Sequence, residues 1–119
     1  MDKENNVIKT DFGYELDWAR FDSHGGKIIV FEKPGKTSFW FNIKTEKSWF
    51  VNSGDFIFRW IDTSDGQVYQ QEAKEGSVFS AQTKVPCSIQ CVSTTGSITE
   101  SNNGFFENDK FIVIKKENY

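Results

Sequence analysis

The sequence predicts a single all-β domain, a sandwich or barrel of short antiparallel strands. Turn-forming clusters recur along the chain, and the segments between them are rich in β-branched and aromatic residues. Strands at intervals of roughly ten residues are typical of sandwiches and barrels. No window combines sustained helical periodicity with the Ala, Leu and Glu content of a good helix, so an α-helical fold is excluded.

Turns divide the chain into nine predicted strands. The turns are rich in Gly, Asn, Asp, Ser and Pro and lie at residues 24–26, 33–36, 52–55, 62–66, 74–77, 94–97 and 101–104. The predicted strands, in order, are Lys27–Phe31, Thr37–Ile43, Ser48–Val51, Asp55–Ile61, Gln67–Glu72, Ser77–Ala81, Cys87–Ser93, Gly96–Glu100 and Phe111–Lys115. Residues 1–11 are predicted to form a polar N-terminal arm, and residues 12–119 the β domain.

Alternation within the second predicted strand separates two faces. Phe39, Phe41 and Ile43 point one way, whereas Trp40 and Asn42 point the other way. Both faces are largely apolar, as expected when one lines an interior and the other packs on a second layer or a partner subunit. Exposed edge strands of this composition would promote aggregation, so the sequence predicts a homodimer.

Composition excludes several kinds of site. The 119 residues contain one histidine and two cysteines, too few for a multi-histidine metal centre or a four-ligand Cys/His zinc site. Any Ser-His or Cys-His nucleophile would need His24, which lies in a turn and is expected to be an exposed loop residue. The 19 aromatic residues (12 Phe, 4 Trp and 3 Tyr) supply enough apolar bulk for a core.

Charge and cysteine spacing bear on partners and compartment. Fourteen basic against 17 acidic residues give a net charge of −3, and the basic residues are scattered, so nucleic acid is not expected as a partner. No apolar run is long enough to span a membrane, and the N-terminus is polar, which favours the cytosol. Cys87 and Cys91 are four residues apart in one strand, roughly 13 Å, too far for a disulfide, so they are predicted to be reduced thiols.

Short motifs in a fixed order resemble the cupin superfamily, in particular the small cupin domain of mannose-6-phosphate isomerase-like proteins. They lie at residues 12–15, 26–29, 34–38, 44–54, 75–79, 85–89, 96–100 and 107–109. The resemblance covers most of residues 12–114 and implies a jelly-roll barrel of two antiparallel sheets. It also implies an ancestry in sugar-phosphate chemistry.

The metal-binding positions depart from this pattern. In the family, the first motif supplies two histidines and a glutamate to a divalent metal, and the second motif supplies another histidine. The corresponding positions here hold Trp40, Asn42, Glu46 and Cys87. A second register places Lys44 and Lys47 at ligand positions. A carboxylate, a thiol and an amide without imidazole match no common metal site, so we expect a barrel without a metal or other cofactor.

The candidate ligand-binding residues are Trp40, Asn42, Lys44, Glu46 and Cys87. Trp40 could stack against a sugar or fill the volume of a lost metal site, and Asn42 could bind a ligand or anchor a neighbouring group. Lys44 and Glu46 could form an ion pair at the entrance. Glu46 could act as a general base or be a solvated loop charge, and Cys87 is expected to be a buried thiol rather than a nucleophile.

Two classes of function follow, with a third left open. The first is a metal-free, non-catalytic protein that binds a small polar ligand, such as a carbohydrate or a sugar phosphate, in the barrel. The second is a sugar-phosphate isomerase-type enzyme, as the resemblance implies. The third is a structural or interaction protein that uses its exposed aromatic face.

Overall fold

The computed structural model describes residues 6–119 and shows two antiparallel β-sheets packed face to face. Residues 1–5 of the predicted N-terminal arm lie outside the described residues. The strands are β1 (Val7–Lys9), β2 (Gly13–Arg20), β3 (Gly25–Phe31), β4 (Gly35–Lys36), β5 (Phe39–Phe41), β6 (Lys47–Ser53), β7 (Phe56–Ile61), β8 (Val68–Ala73), β9 (Val78–Ala81), β10 (Cys87–Cys91), β11 (Gly96–Asn102) and β12 (Phe111–Ile114). A short 3-10 turn at Lys116–Asn118 follows β12.

After the first three strands the chain crosses repeatedly between the two sheets, and the two antiparallel sheets confirm the predicted all-β jelly roll. One sheet has the order β1-β2-β3-β11-β6-β9, and the other has the order β12-β5-β10-β7-β8, with the short β4 also paired to β10. Each of the nine predicted strands is present, and every end lies within two residues of its expected position. The sequence prediction missed β1, β2 and β4.

The N-terminal strands extend the first sheet beyond the predicted domain boundary. Val7–Lys9, inside the predicted polar arm, pairs with β2 in antiparallel register, from Val7 opposite Leu16 to Lys9 opposite Tyr14. The division between an arm of residues 1–11 and the β domain stays a prediction. The structure adds that Val7–Lys9, within that segment, forms the edge strand of one sheet.

The core lies between the sheets and is centred on Trp49. This residue is fully buried, and its ring lies 5.3 Å from Phe58, 5.4 Å from Phe79 and 5.9 Å from Trp40, measured between ring centres. Aromatic contacts at these separations add to the stabilisation from apolar burial. The other fully buried side chains are those of Phe31, Phe39, Val51, Phe56, Phe58, Ser88, Ile89, Ile98, Cys87 and Cys91.

Both faces of β5 are covered by the chain itself. Trp40 belongs to the core between the sheets, whereas Phe39 packs on Tyr119 at 4.8 Å and Phe41 stacks on Phe111 at 5.2 Å. Trp40 and Phe39 thus lie on opposite faces of β5, as predicted. The layer that covers the Phe39 face is the C-terminal segment of the same chain.

Gly54 makes the tight connection between β6 and β7. Its φ of +89° lies in the left-handed region that favours glycine. A Cβ atom at this position would also lie 2.5 Å from the carbonyl oxygen of Thr95 and 2.7 Å from the Cα of Gly96. The turn that the sequence marked here therefore requires glycine for both conformation and space.

Candidate functional site

A half-open cavity of about 480 Å³ is lined by residues of both sheets and by the segment that precedes β12. One sheet contributes Glu15, Lys27 and Glu100, and the other contributes Trp40. The wall therefore combines an indole ring with charged side chains, unlike the apolar core beside it. Such a mixture suits a small polar ligand.

Three inward-facing charges form a row across neighbouring strands. Lys27 on β3 lies opposite Asp17 on β2 and opposite Glu100 on β11. The Lys27 ammonium also forms an ion pair with Glu15, with 3.0 Å between Nζ and Oε1. Burial acts to lower the pKa of Lys27, but the carboxylates of Glu100 and Glu15 outweigh it, so the pKa lies above its ordinary value.

Glu100 is a buried carboxylate held by two donors. The indole Nε1 of Trp49 donates to Oε1 at 2.8 Å, and Nδ2 of Asn102 donates to Oε2 at 3.0 Å. Hydrogen bonds to a charged acceptor are stronger than those between neutral groups. The hydrogen bond from Trp49 to Glu100 links the centre of the core to the wall of the cavity.

Lys47, the first residue of β6, places an ammonium in the cavity wall. The residue is only 8% exposed, and its Nζ lies 4.8 Å from the ring centre of Trp40 and 5.9 Å from that of Trp49. The ammonium donates a hydrogen bond to Oδ1 of Asn42. Burial lowers the pKa of Lys47, and the nearby ammonium groups of Lys110 and Lys27 lower it further, against the opposing effect of Glu100.

Among the residues that the structure describes, no carboxylate forms a direct ion pair with Lys47. Within residues 6–119 the two ion pairs are Lys27–Glu15 and Lys116–Asp11. Lys110 also lacks one within these residues, and its Nζ lies 5.0 Å from the ring centre of Trp40. The residue as a whole is exposed, but burial around its ammonium lowers its pKa. Two ammonium groups therefore share one indole ring.

Asp109 fixes the loop that carries Asn42 into the cavity. Its carboxylate accepts hydrogen bonds from the backbone N–H groups of Ile43, Lys44 and Thr45 at 2.9 to 3.2 Å, and from the Thr45 hydroxyl at 2.9 Å. Desolvation acts to raise the pKa of Asp109, but these hydrogen bonds lower it below its usual range. Nδ2 of Asn42 donates to the Asp109 carbonyl oxygen, so both ends of this amide are engaged.

The five predicted site residues are only partly brought together. Trp40 and Asn42 line the cavity beside Lys47, whereas Cys87 lines a separate cavity beside Trp60. Lys44 and Glu46 are exposed, and the expected ion pair between them is wrong: Glu46 borders a third cavity, and Lys44 lies over the ring of Phe106 at 6.0 Å. The backbone N–H of Lys44 donates a hydrogen bond to Asp109, and that of Glu46 donates one to Asn103.

The structure bears on the alternatives left open for individual side chains. Trp40 belongs to the core cluster and also lines the cavity, and Asn42 anchors its neighbours through both ends of its amide. Burial raises the pKa of the Cys87 thiol to about 11, so it is a neutral buried thiol at ordinary pH. Both cysteines are free. His24 is an exposed loop residue stacked on Phe21 at 4.8 Å.

The sequence analysis missed most of the charged cavity wall. Lys27 and Glu100 were assigned only to strands and family motifs, and Lys47 was considered only as an alternative metal-ligand position. Strand alternation was the available signal: Lys47 shares its parity with the buried Trp49 and Val51, and Glu100 shares its parity with the buried Ile98. Applying this alternation up to the ends of the strands would have predicted that Lys47 and Glu100 both point between the sheets.

No group of three or more His, Cys, Asp or Glu side chains in residues 6–119 is placed to hold a metal ion. No helix in the same residues is long and apolar enough to cross a membrane.

Comparisons with known proteins give similarity at the level of structure. No protein-family model and no curated protein matches the sequence. The fold is similar to that of CapF, a capsular polysaccharide assembling protein from Staphylococcus aureus, with a TM-score of 0.81 and 12% identity over 91% of this chain and 32% of that chain. It is also similar to oxalate decarboxylase from Bacillus subtilis, with a TM-score of 0.81 and 13% identity over 95% of this chain and 31% of that one.

A third similar structure is an oxalate decarboxylase formate complex from Lactobacillus farciminis, with a TM-score of 0.77 and 13% identity over 95% of this chain and 35% of that chain. The chain thus spans about a third of the length of these cupin-fold proteins. Identities this low establish fold alone. With its two antiparallel sheets and this structural similarity, the protein has the jelly-roll fold of the cupins.

Proposed function

We propose that this protein is a metal-free, non-catalytic cupin-fold protein that binds a small polar ligand, a carbohydrate or a sugar phosphate, inside the barrel. The observation that carries the proposal is the cavity of about 480 Å³. Its size falls within the range of small-molecule sites, and its wall offers an aromatic ring beside hydrogen-bonding and charged groups. An interior filled by side chains would have removed this possibility.

The donor set around Trp40 and Asn42 is a poor fit for the metal that the fold family implies. The Oδ1 atom of Asn42 already accepts a hydrogen bond from Lys47, and a divalent cation placed beside it would face that ammonium. Cys87 lines a different cavity, and Glu46 is exposed. These observations support a site that works without a metal, with Lys47 supplying a fixed positive charge.

Trp40 provides the test of binding in this cavity. Titration calorimetry of the protein with mannose, glucose and mannose 6-phosphate is expected to detect binding of at least one of them. Trp40→Leu should weaken that binding about 10-fold or more, because an aromatic contact surface in the cavity is lost. The matched control is Trp18→Leu, since Trp18 is half exposed and lies outside the cavity lining.

Two results would overturn the binding proposal. One is the absence of heat with every sugar at millimolar concentration. The other is equal weakening by Trp40→Leu and Trp18→Leu, which would place the binding outside the cavity.

A sugar-phosphate isomerase of the mannose-6-phosphate isomerase kind is the second candidate. The observation in its favour is that a carboxylate, Glu100, and an ammonium, Lys47, face the same cavity, since proton transfer and charge stabilisation need such groups. This candidate predicts turnover of mannose 6-phosphate. Complete inactivity with and without added Zn²⁺, Mn²⁺, Fe²⁺ or Ni²⁺ would remove it.

Self-association of a cytosolic protein is the remaining part of the proposal. The edge strands β1 and β12 carry exposed apolar side chains, with Ile8 52% and Ile112 53% exposed, and both cysteines are free. Edges of this kind favour pairing with another copy, so we propose a homodimer. The alternative of an interaction protein would use the exposed aromatic face. Analytical ultracentrifugation is expected to give twice the 13.7 kDa chain mass. A monomer at all concentrations would contradict the dimer.

A further inference from the structure

We propose that Lys47 and Lys110 form an anion-binding site beside Trp40, and that the ligand is an anionic carbohydrate whose phosphate or carboxylate group sits there. The inference rests on the proposed function, because it concerns the same cavity and narrows its ligand to one chemical class. The sequence resemblance did not select these residues as a pair, since Lys110 belongs to none of its motifs.

The first step is the placement of the two ammonium groups. Each Nζ lies within about 5 Å of the ring centre of Trp40, and both side chains line the cavity. Lys47 is buried and fixed by its hydrogen bond to Asn42, whereas Lys110 is exposed. A lysine stem is flexible, so Lys110 can close on an anion that Lys47 holds from within.

The second step is that the carboxylates of the cavity are already engaged elsewhere. Glu15 is paired with Lys27, and Glu100 accepts hydrogen bonds from Trp49 and Asn102. Asp109 accepts hydrogen bonds from the loop at residues 43–45. Asp17 lies opposite Lys27 in the sheet. No carboxylate within residues 6–119 is therefore left in direct contact with Lys47 or Lys110.

The third step is energetic. A buried ammonium without an anionic partner bears a desolvation cost that cation–π contacts and one amide oxygen offset only in part. A phosphate or carboxylate group that enters the cavity would accept hydrogen bonds from both ammonium groups, and charge-assisted bonds of this type are among the strongest in proteins. The anion thus completes an electrostatic arrangement that the chain leaves open.

The remainder of the wall suits a polyhydroxylated body rather than an apolar one. Asp17, Arg20, Asn108 and Thr37 line the same cavity and offer both donors and acceptors. The hydroxyl groups of a sugar can form hydrogen bonds with such side chains, whereas an apolar tail cannot. Sugar phosphates and sugar acids combine the acid group with hydroxyl groups.

The experiment is calorimetric titration of the full chain with four probes: inorganic phosphate, mannose 6-phosphate, glucuronate and neutral mannose. Lys110→Gln removes one charge at an exposed position, and Lys47→Met removes the other while keeping a long side chain. The control is Lys74→Gln, which deletes one charge from an exposed turn outside the cavity. Mannose 6-phosphate or glucuronate is expected to bind, about 10-fold or more weakly in Lys110→Gln and unchanged in Lys74→Gln.

Outcomes separate the two proposals. Neutral mannose that binds as well as its phosphate, with no effect of Lys110→Gln, overturns the anion site and leaves the binding function standing. Inorganic phosphate binding that depends on Lys110, without binding of any sugar, supports the anion site and overturns the carbohydrate part. If no probe binds to the folded wild-type protein, both proposals fail. The two acid probes distinguish a phosphate site from a carboxylate site.

Discussion

Replacing Trp49 by phenylalanine tests how the core supports the cavity wall. Trp49 is fully buried between the sheets, and its Nε1 donates to the Glu100 carboxylate at 2.8 Å. Phenylalanine keeps a six-membered ring among the neighbouring aromatic residues but removes this donor. Glu100 then keeps only the hydrogen bond from Asn102, at 3.0 Å, on its other oxygen.

The expected cost has two parts. Loss of a hydrogen bond to a buried charged group costs about 1.5–3 kcal/mol, and the space left by the smaller ring adds roughly 1 kcal/mol. The free energy of unfolding should therefore fall by about 3 kcal/mol, a large fraction of the ~5–15 kcal/mol typical of a domain. For a chain of this size we expect Tm to fall by about 10 °C.

The assay is urea unfolding followed by far-UV circular dichroism, with Trp18→Phe as the control. That substitution makes the same chemical change on a ring that is 51% exposed, and it should alter the free energy of unfolding by less than about 0.5 kcal/mol. In a double-mutant cycle with Glu100→Leu, the two changes should be less than additive by about 1.5 kcal/mol. Equal effects of Trp49→Phe and Trp18→Phe would refute the reasoning.

Three further predictions concern single groups. Asp109→Asn should lower the free energy of unfolding by about 1–3 kcal/mol and speed amide exchange at residues 43–45, because the backbone N–H groups there lose a charged acceptor. The control is Asp55→Asn, which makes the same change at an exposed carboxylate. Equal effects of the two substitutions would contradict the role of Asp109. The raised pKa of Cys87 means that the unfolded thiol ionises first, so the free energy of unfolding should decline from pH 9.0 to about 11, by at most about 2–3 kcal/mol. Urea titrations across that range should show a smaller decline in Cys87→Ala, and an identical decline would contradict the assignment. Gly13→Ala would place a Cβ atom 2.1 Å from the carbonyl oxygen of Val30, so Tm should fall by an amount equivalent to about 1–3 kcal/mol; an unchanged Tm would contradict this contact.

Turn residues between segments rich in β-branched and aromatic residues located the nine predicted strands. Most of these strands bury an apolar face, although β8 and β12 are largely exposed. The sequence analysis did not predict β2 because its inward residues are charged. Glu15 and Asp17 line the cavity, whereas the half-exposed Trp18 lies on the other face. A strand with its polar face turned inward resembles a surface segment when only hydrophobicity is considered.

The site was harder to predict because it depends on register. Shifting a β-strand assignment by one residue moves every side chain to the other face, and this separates Glu46, which is exposed, from Lys47, which is buried. Trp40 and Asn42 were correctly placed on the inward face of β5. Lys110 could not be placed from local pattern at all, since its approach to Trp40 depends on the path of the segment before β12.

Metal analysis tests the central claim most directly, namely that the barrel works with the Lys47 ammonium in place of a metal ion. Tag-free protein, purified without chelators from cells grown with added zinc, manganese, iron and nickel, would be measured by inductively coupled plasma mass spectrometry. We expect metal far below one equivalent per chain, and the same low content in Lys47→Met. Close to one equivalent of any of these metals in the wild-type protein would contradict it.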